Sequence, residues 1–285
     1  MRFGYGTNGF ANHRLPDALD VIAGLGYEGV ALTLDHSHLD PYADGLGRRV
    51  AEVADKLRDL GLAVVVETGA RYLLDPLRKH APTLLDDDRD LRVDFLSRAV
   101  AIGADLGAEA VSFWSGVRPA RIDQATAWSR LVDGCGRVLD AARRADVTLG
   151  FEPEPGMLVE TIDGWRRLHE ALGSPDGFGI TLDIGHCRCN EPDPVPRCVA
   201  AVAAHLVNVQ IDDMRRGVHE HLEFGEGEID FPPVLRALDD AGYRGLVAVE
   251  LPRHSHAAPD VARRSIEFLR GAEQESRREG EGRRA

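Results

Sequence analysis

Polar residues able to do chemistry recur where short apolar runs end. Glu67 closes AVVVET, Glu152 lies in TLGFEPE, Asp183 closes FGITLD, Gln210 and Asp212 sit in LVNVQID, and Glu250 lies in LVAVEL. A carboxylate at the end of a buried strand is costly unless a cation or a metal compensates it. For any one of these groups an Arg or Lys partner would do. For Glu152, Asp183 and Glu250 together, a divalent metal held by carboxylate oxygens, an amide oxygen and nearby imidazoles is the better account. Such an ion polarises a carbonyl, and two positioned carboxylates can then remove and supply a proton on opposite faces of the neighbouring carbon.

Other segments supply candidate partners. HEHLEFGEGEID (His219 to Asp230) places two histidines two apart with no apolar periodicity, then Gly225 and Gly227, as expected of a loop that folds His219 and His221 over a site. ETGARYLLDPLRKHAPTLL is long for a connection between a strand and a helix, and reads as a lid whose Arg71, with Arg78, Lys79 and His80, could hold a phosphate or carboxylate. Trp114 ends a strand, either as core packing or as a platform for the apolar face of a sugar ring. Asp35, His36 and His38 end the second strand and could line the same mouth. The run His186-Cys187-Arg188-Cys189 lacks the second Cys pair of a structural zinc site. Neither a G-x-S-x-G elbow nor a Walker loop occurs in the chain.

The elements that must position these residues repeat. Eight apolar runs, 2–7, 29–34, 63–68, 110–114, 148–154, 178–183, 206–212 and 246–251, alternate with amphipathic stretches near 15–26, 46–61, 89–107, 124–145, 162–172, 193–204, 231–241 and 258–270. Repeated β-α units predict a parallel sheet, and eight of them predict a closed (β/α)8 TIM barrel of class α/β in a single domain over 1–271. Three joints, GLGYEGV, DLGAEAV and DAGYRGLV, place a glycine between helix and strand. Barrel enzymes carry their chemistry at the C-terminal ends of the strands, where the polar residues above gather. The stretch 272–285 has four Arg and four Glu without periodic apolar residues, and is expected to be disordered.

Composition excludes several classes. Thirty-four Lys+Arg against 47 Asp+Glu leave a net charge of −13, which disfavours nucleic acid as a partner. No apolar stretch reaches the roughly 20 residues of a membrane span, and the N-terminus lacks the pattern of a signal peptide, so a cytoplasmic protein with no membrane partner is expected. The four cysteines are read as reduced thiols.

The segments FEPEPG (Phe151 to Gly156), TLDIGH (Thr181 to His186), NVQIDD (Asn208 to Asp213), HEHLEFGEGEID and VAVE (Val247 to Glu250) together resemble those of the xylose isomerase-like TIM-barrel superfamily. That superfamily includes sugar phosphate isomerases/epimerases, ketose 3-epimerases, inosose dehydratases and endonuclease IV. The resemblance implies one divalent metal on Glu152, Asp183, Gln210 and Glu250, with Glu152 and Glu250 also acting as the catalytic acid/base pair. Gln210 stands where the family usually has histidine, which favours Mn or Mg over Zn or Co. The resemblance further implies that His186 binds a substrate oxygen, its alternative being to orient Asp183, and that His221 takes the place of a substrate-holding Arg; His219, Glu67, Trp114 and Arg71 are expected to line the substrate from their places at strand ends and in the loops. Endonuclease IV has Asp-x-His, both metal ligands, where this chain has His219-Glu-His221, but its early histidine ligands meet Glu67 and Trp114 here. The expected activity is isomerisation or epimerisation of a small sugar, sugar phosphate or inosose through an enediolate. The alternatives are an inosose-type dehydratase or lyase on the same metal, an endonuclease IV-like phosphoesterase, or a sugar-binding barrel without turnover. Family barrels are often homo-oligomers.

Overall fold

The structure, a computed structural model, describes residues 1–69 and 71–282. The apolar runs form β1 (Arg2–Gly6), β2 (Gly29–Thr33), β3 (Ala63–Glu67), β4 (Val111–Phe113), β5 (Leu149–Phe151), β6 (Phe178–Asp183) and β7 (Leu206–Ile211). A hairpin of β8 (Asp213–Arg215) and β9 (Val218–Leu222) follows, then β10 (Leu246–Val249). All but the hairpin close into a parallel barrel in the order β1-β10-β7-β6-β5-β4-β3-β2.

Helices α1 (Leu15–Gly24), α2 (Leu46–Leu60), α3 (Asp90–Leu106), α4 (Gln124–Ala145), α5 (Ile162–Ala171), α6 (Ile184–Asn190), α7 (Val195–Val202), α8 (Phe231–Asp240) and α9 (Ala258–Gly282) complete the β-α repeat. The three joints turn on Gly26, Gly107 and Gly242 at φ 84, 64 and 72, a left-handed conformation that glycine adopts without a Cβ penalty. Helices α4 and α5 start on side-chain caps, with Asp123 accepting from the Thr126 amide at 2.7 Å and Thr161 from the Gly164 amide at 3.1 Å.

Strand alternation divides the core. Outward residues such as Val64, Val66, Phe113, Phe151 and Phe178 pack in the main apolar layer, with centroids of the three rings 5.3 to 6.3 Å apart. Each fully buried ring of this kind stabilises the fold by about 1.5–3 kcal/mol. Inward residues grade from small and apolar to polar. Ala31, Val65, Ala110, Leu246 and Ala248 form a separate cluster inside the barrel. One step further along the same inward faces come Glu67, Ser112, Thr181, Asn208 and Gln210, all buried. Leu246 fills the lower interior so closely that a Cβ on Gly29 would lie 2.3 Å from its Cδ1, so this position admits no side chain without a shift.

Besides the short helix α6, which lies between the expected stretches 162–172 and 193–204, two features differ from the sequence expectation. The segment read as a loop around His219 and His221 is an antiparallel hairpin pairing Asp213 with Leu222 and Arg215 with Val218. It is short and rich in polar residues, so no alternating apolar pattern marks it. Helix α9 continues to Gly282, through much of the stretch expected to be disordered. There Ala272 and Ser276 are buried and Arg277 pairs with Glu273 at 2.9 Å. Residues 283–285 of that stretch lie outside the described residues. No described helix is long and apolar enough to cross a membrane.

Candidate active site

Four neighbouring strands bring the expected metal ligands together. Glu152 directly follows β5, Asp183 ends β6, Gln210 lies in β7 and Glu250 directly follows β10, so the two glutamates stand at the ends of an arc with Asp183 and Gln210 between them. Barrel register pairs Asp183 with Gln210, and Gln210 with Ala248. Carboxylate oxygens of Glu152, Asp183 and Glu250 lie within 4.8 Å of one another, a grouping that could hold a metal ion.

The backbone fixes this arc. The Glu152 amide donates to Phe113 O at 2.9 Å and the Glu250 amide to Ile211 O at 3.2 Å. Asp183 caps α6 by accepting from the His186 amide at 2.7 Å, which uses Oδ1 and leaves Oδ2 free. Asn8 donates to Glu250 Oε1 at 2.9 Å. Asp183 Oδ2, Gln210 Oε1, His186 Nε2 and Asp212 Oδ1 are buried with no hydrogen-bond partner among the described residues. Buried polar atoms without partners are costly, and several converging on one place fit a bound cation and its ligands. The donor set, carboxylate and amide oxygens with an imidazole beside them, suits a hard or borderline divalent ion.

Electrostatics point the same way. Burial pushes the Glu67 and Glu152 carboxyls well above the usual range, and neighbouring carboxylates add to the effect. Burial likewise raises Glu250, and it raises Glu154 to about 8. Without a cation these groups cannot all be ionised together.

Histidines enclose the other side. His186 Nδ1 lies 3.2 Å from Pro153 O; because a carbonyl only accepts, this bond puts the proton on Nδ1 and leaves Nε2 as a lone pair facing Asp183 Oδ2 at 4.0 Å. Hairpin alternation turns His219 and His221 to the same face, with ring centroids 4.9 and 5.7 Å from His186. Burial lowers His186 and His219 to about 4. Burial would also lower His221, but the Asp212 carboxylate against its Nδ1 outweighs it and carries it to about 10. Asp212 is itself raised, by burial first and then by Asp183, while His221 opposes the rise. Asp213 anchors the hairpin base by accepting from the amides of Gly225, Gly227 and Ile229.

A cavity of about 590 Å³ opens over this arc, lined by Glu67, Arg71, Trp114, Glu152, Gln210, His219, His221 and Glu250. The sequence-expected residues therefore meet in one place, with Asp183 and His186 buried beside it. Glu67 is held by Asn208 Nδ2 at 3.1 Å. Trp114 is contacted edge-on by His80 at 5.3 Å and by the Arg92 guanidinium at 4.9 Å. His36 turns away to pair with Asp40 at 3.2 Å, and among the described residues neither His36 nor His38 joins a metal-capable group.

Sequence reasoning passed over Glu154, Asn8 and Arg92. Glu154 lines the cavity with its Oε1 3.6 Å from His219 Nε2, and the repeat Glu152-Pro-Glu154 was its available signal. Asn8 follows β1 at the same rim as the other strand-end residues. Nothing in the sequence marks Arg92, an arginine inside an amphipathic helix.

The xylose isomerase-like TIM barrel family matches residues 19–272. An L-ribulose-5-phosphate 3-epimerase UlaE of Salmonella paratyphi A is 28% identical over 230 residues, covering 78% of this chain and 80% of that protein. The corresponding protein of Shigella flexneri is 27% identical over 241 residues, covering 82% and 83%. Among solved structures, an L-ribulose 3-epimerase superposes with a TM-score of 0.79 at 21% identity, over 100% of this chain and 98% of that one. A D-allulose 3-epimerase from Methylomonas sp. superposes with a TM-score of 0.75 at 17% identity, over 95% and 98%. With most of its length matched and its barrel closed in the same way, the chain belongs to the xylose isomerase-like TIM barrel family.

Proposed function

We propose that this protein is a divalent-metal-dependent isomerase or epimerase of a small sugar or sugar phosphate. The observation that carries the reading is the convergence of Glu152, Asp183 and Glu250 with the unpartnered oxygen of Gln210 at the floor of one cavity. The epimerase activity of the relatives supports the same class of chemistry. Glu152, Asp183, Gln210 and Glu250 would hold the ion, Mn or Mg in preference to Zn or Co. When bound, it would polarise the substrate carbonyl and stabilise the enediolate left by proton removal.

The chain's own residues do the rest. Glu152 and Glu250 reach the cavity from opposite ends of the arc, as a pair that takes a proton from one face of a carbon and returns it to the other must. Glu152 is buried and Glu250 half-buried at the cavity, where a positioned carboxylate can serve as base and then as acid. Asn8 donates to Glu250 Oε1 and so fixes the orientation of that carboxylate. His186, oriented through Pro153 O and buried beside the cavity, directs Nε2 toward Asp183, and His221, held by Asp212, lines the cavity and offers a charged N–H to the substrate. Trp114 and Glu67 line the same cavity.

Elemental mass spectrometry of protein purified without chelator tests the reading, alongside solvent-deuterium exchange into ribulose followed by NMR. One ion per chain and exchange at a single carbon support it; exchange that survives in both Glu152→Gln and Glu250→Gln would remove the acid/base assignment. A conjugated carbonyl product would move the activity to dehydration. His186, His219 and His221 form a second grouping that could hold a metal. Two or three zinc ions per chain would therefore favour phosphoester hydrolysis.

A further inference from the structure

The hairpin after β7 carries a histidine braced from behind by a buried carboxylate. His221 Nδ1 lies against Asp212 Oδ2, and Asp212 is fully buried. A carboxylate oxygen accepts, so this bond keeps a hydrogen on Nδ1 and makes Nε2 the nitrogen that can exchange a proton. Nε2 makes no hydrogen bond among the described residues, and the ring lines the cavity.

The brace is fixed from several sides. Asp212 directly follows β7, and its Oδ1 rests against Gly185 in α6, where a Cβ would collide with that oxygen and stand 2.8 Å from Met214 Cε. Pairing of Asp213 with Leu222 sets the strand that bears the ring beside Asp212. On either side of the ring, Arg253 holds Glu220 at 2.6 Å and Arg264 holds Glu223 at 2.8 Å. A ring held in this way meets a substrate in one orientation, which proton transfer requires.

The two reactions open to the cavity make different demands. Epimerisation beside a carbonyl moves a proton from one face of a carbon to the other and leaves the carbonyl where it was. Isomerisation shifts the carbonyl to the neighbouring carbon, so one oxygen must gain a proton and the other must lose one. Two carboxylates suffice for the first; the second needs a further group that gives and takes a proton at the oxygens.

We propose that His221, positioned by Asp212, moves a proton between adjacent oxygens of the substrate, so that the cavity can shift a carbonyl between neighbouring carbons as well as invert a carbon. This rests on the proposed isomerase or epimerase chemistry of the same cavity. From ketose to aldose, a carboxylate takes a proton from C1, the electrons of that C–H bond form the C1–C2 double bond, and the C2 oxygen takes the proton of Nε2. The C1 hydroxyl then gives its proton to Nε2 as its C–O bond becomes a carbonyl, and C2 takes the proton held by the carboxyl. Ring and carboxylate end as they began, and no co-reactant is consumed.

The test follows ribulose and xylulose in deuterium oxide by NMR with the magnesium-loaded protein, reading exchange of carbon-bound hydrogen and appearance of the aldose as separate events. The native chain should form the aldose. His221→Gln should lower the rate of aldose formation by at least about 100-fold, with KM within about threefold and exchange at carbon retained. Asp212→Asn should act in the same direction by releasing the ring to its other tautomer. Imidazole added to His221→Ala should return part of the aldose rate, and melting curves check that each variant folds. Aldose formation in His221→Gln within about tenfold of the native rate, or exchange without aldose in the native protein, overturns the shuttle and leaves the isomerase or epimerase reading standing. A second ion per chain held by His186, His219 and His221, the other metal-capable grouping, would occupy Nε2 and also overturn it. Neither exchange nor aldose discards that reading and the shuttle with it.

Discussion

The floor and the rim of the cavity are held by different means. On the floor, Glu152, Asp183, Gln210 and Glu250 sit on or directly after barrel strands, placed by ladder hydrogen bonds and strand register. On the rim, Arg71, Lys79 and His80 belong to a long loop held by the His80 amide on Arg71 O, by Arg71 on Pro252 O and by the buried Arg92 guanidinium. The contrast teaches that a cluster of candidate ligands can be inherited from the strands, whereas what surrounds the rest of the cavity depends on a few tertiary contacts. Changes on the floor should therefore abolish chemistry with the fold intact, and changes under the rim should cost stability and substrate binding first.

The largest effect is expected from Glu152→Gln or Glu250→Gln. Each should lower turnover by about 10²–10⁴-fold, the usual contribution of a positioned acid or base, with little change in the melting curve. A rate within tenfold of the native protein would remove the floor from the chemistry. Next comes Arg92→Leu, which leaves the carbonyls of Thr68, His80 and Pro82 without their donor. The loss should be about 2–4 kcal/mol by denaturant titration, most of it from unsatisfied buried groups. If stability is unchanged, the rim is not fastened as described.

A smaller change should follow Gln210→His. Replacing an amide oxygen with imidazole is expected to tighten metal binding by about tenfold and to shift preference toward Zn, read by competition with a chelating dye. The smallest is a dependence on pH. Burial first, then the charge of Lys79, lowers His80 to about 4 from the usual 6.5. The folded state thus favours the neutral ring, and between those values the unfolded chain binds the extra proton. The stability this represents is complete above about pH 6.5 and is lost as pH falls toward 4. Allowing for the solvent His80 still meets, the loss is about 1–2 kcal/mol, and His80→Gln should flatten the acid limb of a plot of melting temperature against pH.

The floor was legible in the sequence because parallel topology does the placing. Once eight β-α repeats are recognised, every strand ends at the same mouth, and residues such as Asp183 or Glu250 need no further information to be brought there. Glu154 was less legible, since it follows Pro153 beyond the strand and its direction depends on the bend of that segment. Asp212 was visible as a strand end, but its tight pairing with His221 depends on a hairpin that the polar run HEHLEF does not announce. Helix α9 also outran its pattern, because it is stabilised past residue 271 by burial of Ala272 and Ser276.

By itself the sequence determined the repeat, the barrel it implies and the carboxylates that meet at its mouth, because strand period and connection order act locally and leave one closed arrangement. Only the tertiary structure decided which histidine nitrogen faces Asp183, which carboxylate holds His221, and that Arg71 and Lys79 both line the cavity. Those outcomes depend on contacts between segments distant in the chain, such as Arg92 with the carbonyls of the loop before it and Arg71 with Pro252, and no local pattern encodes them.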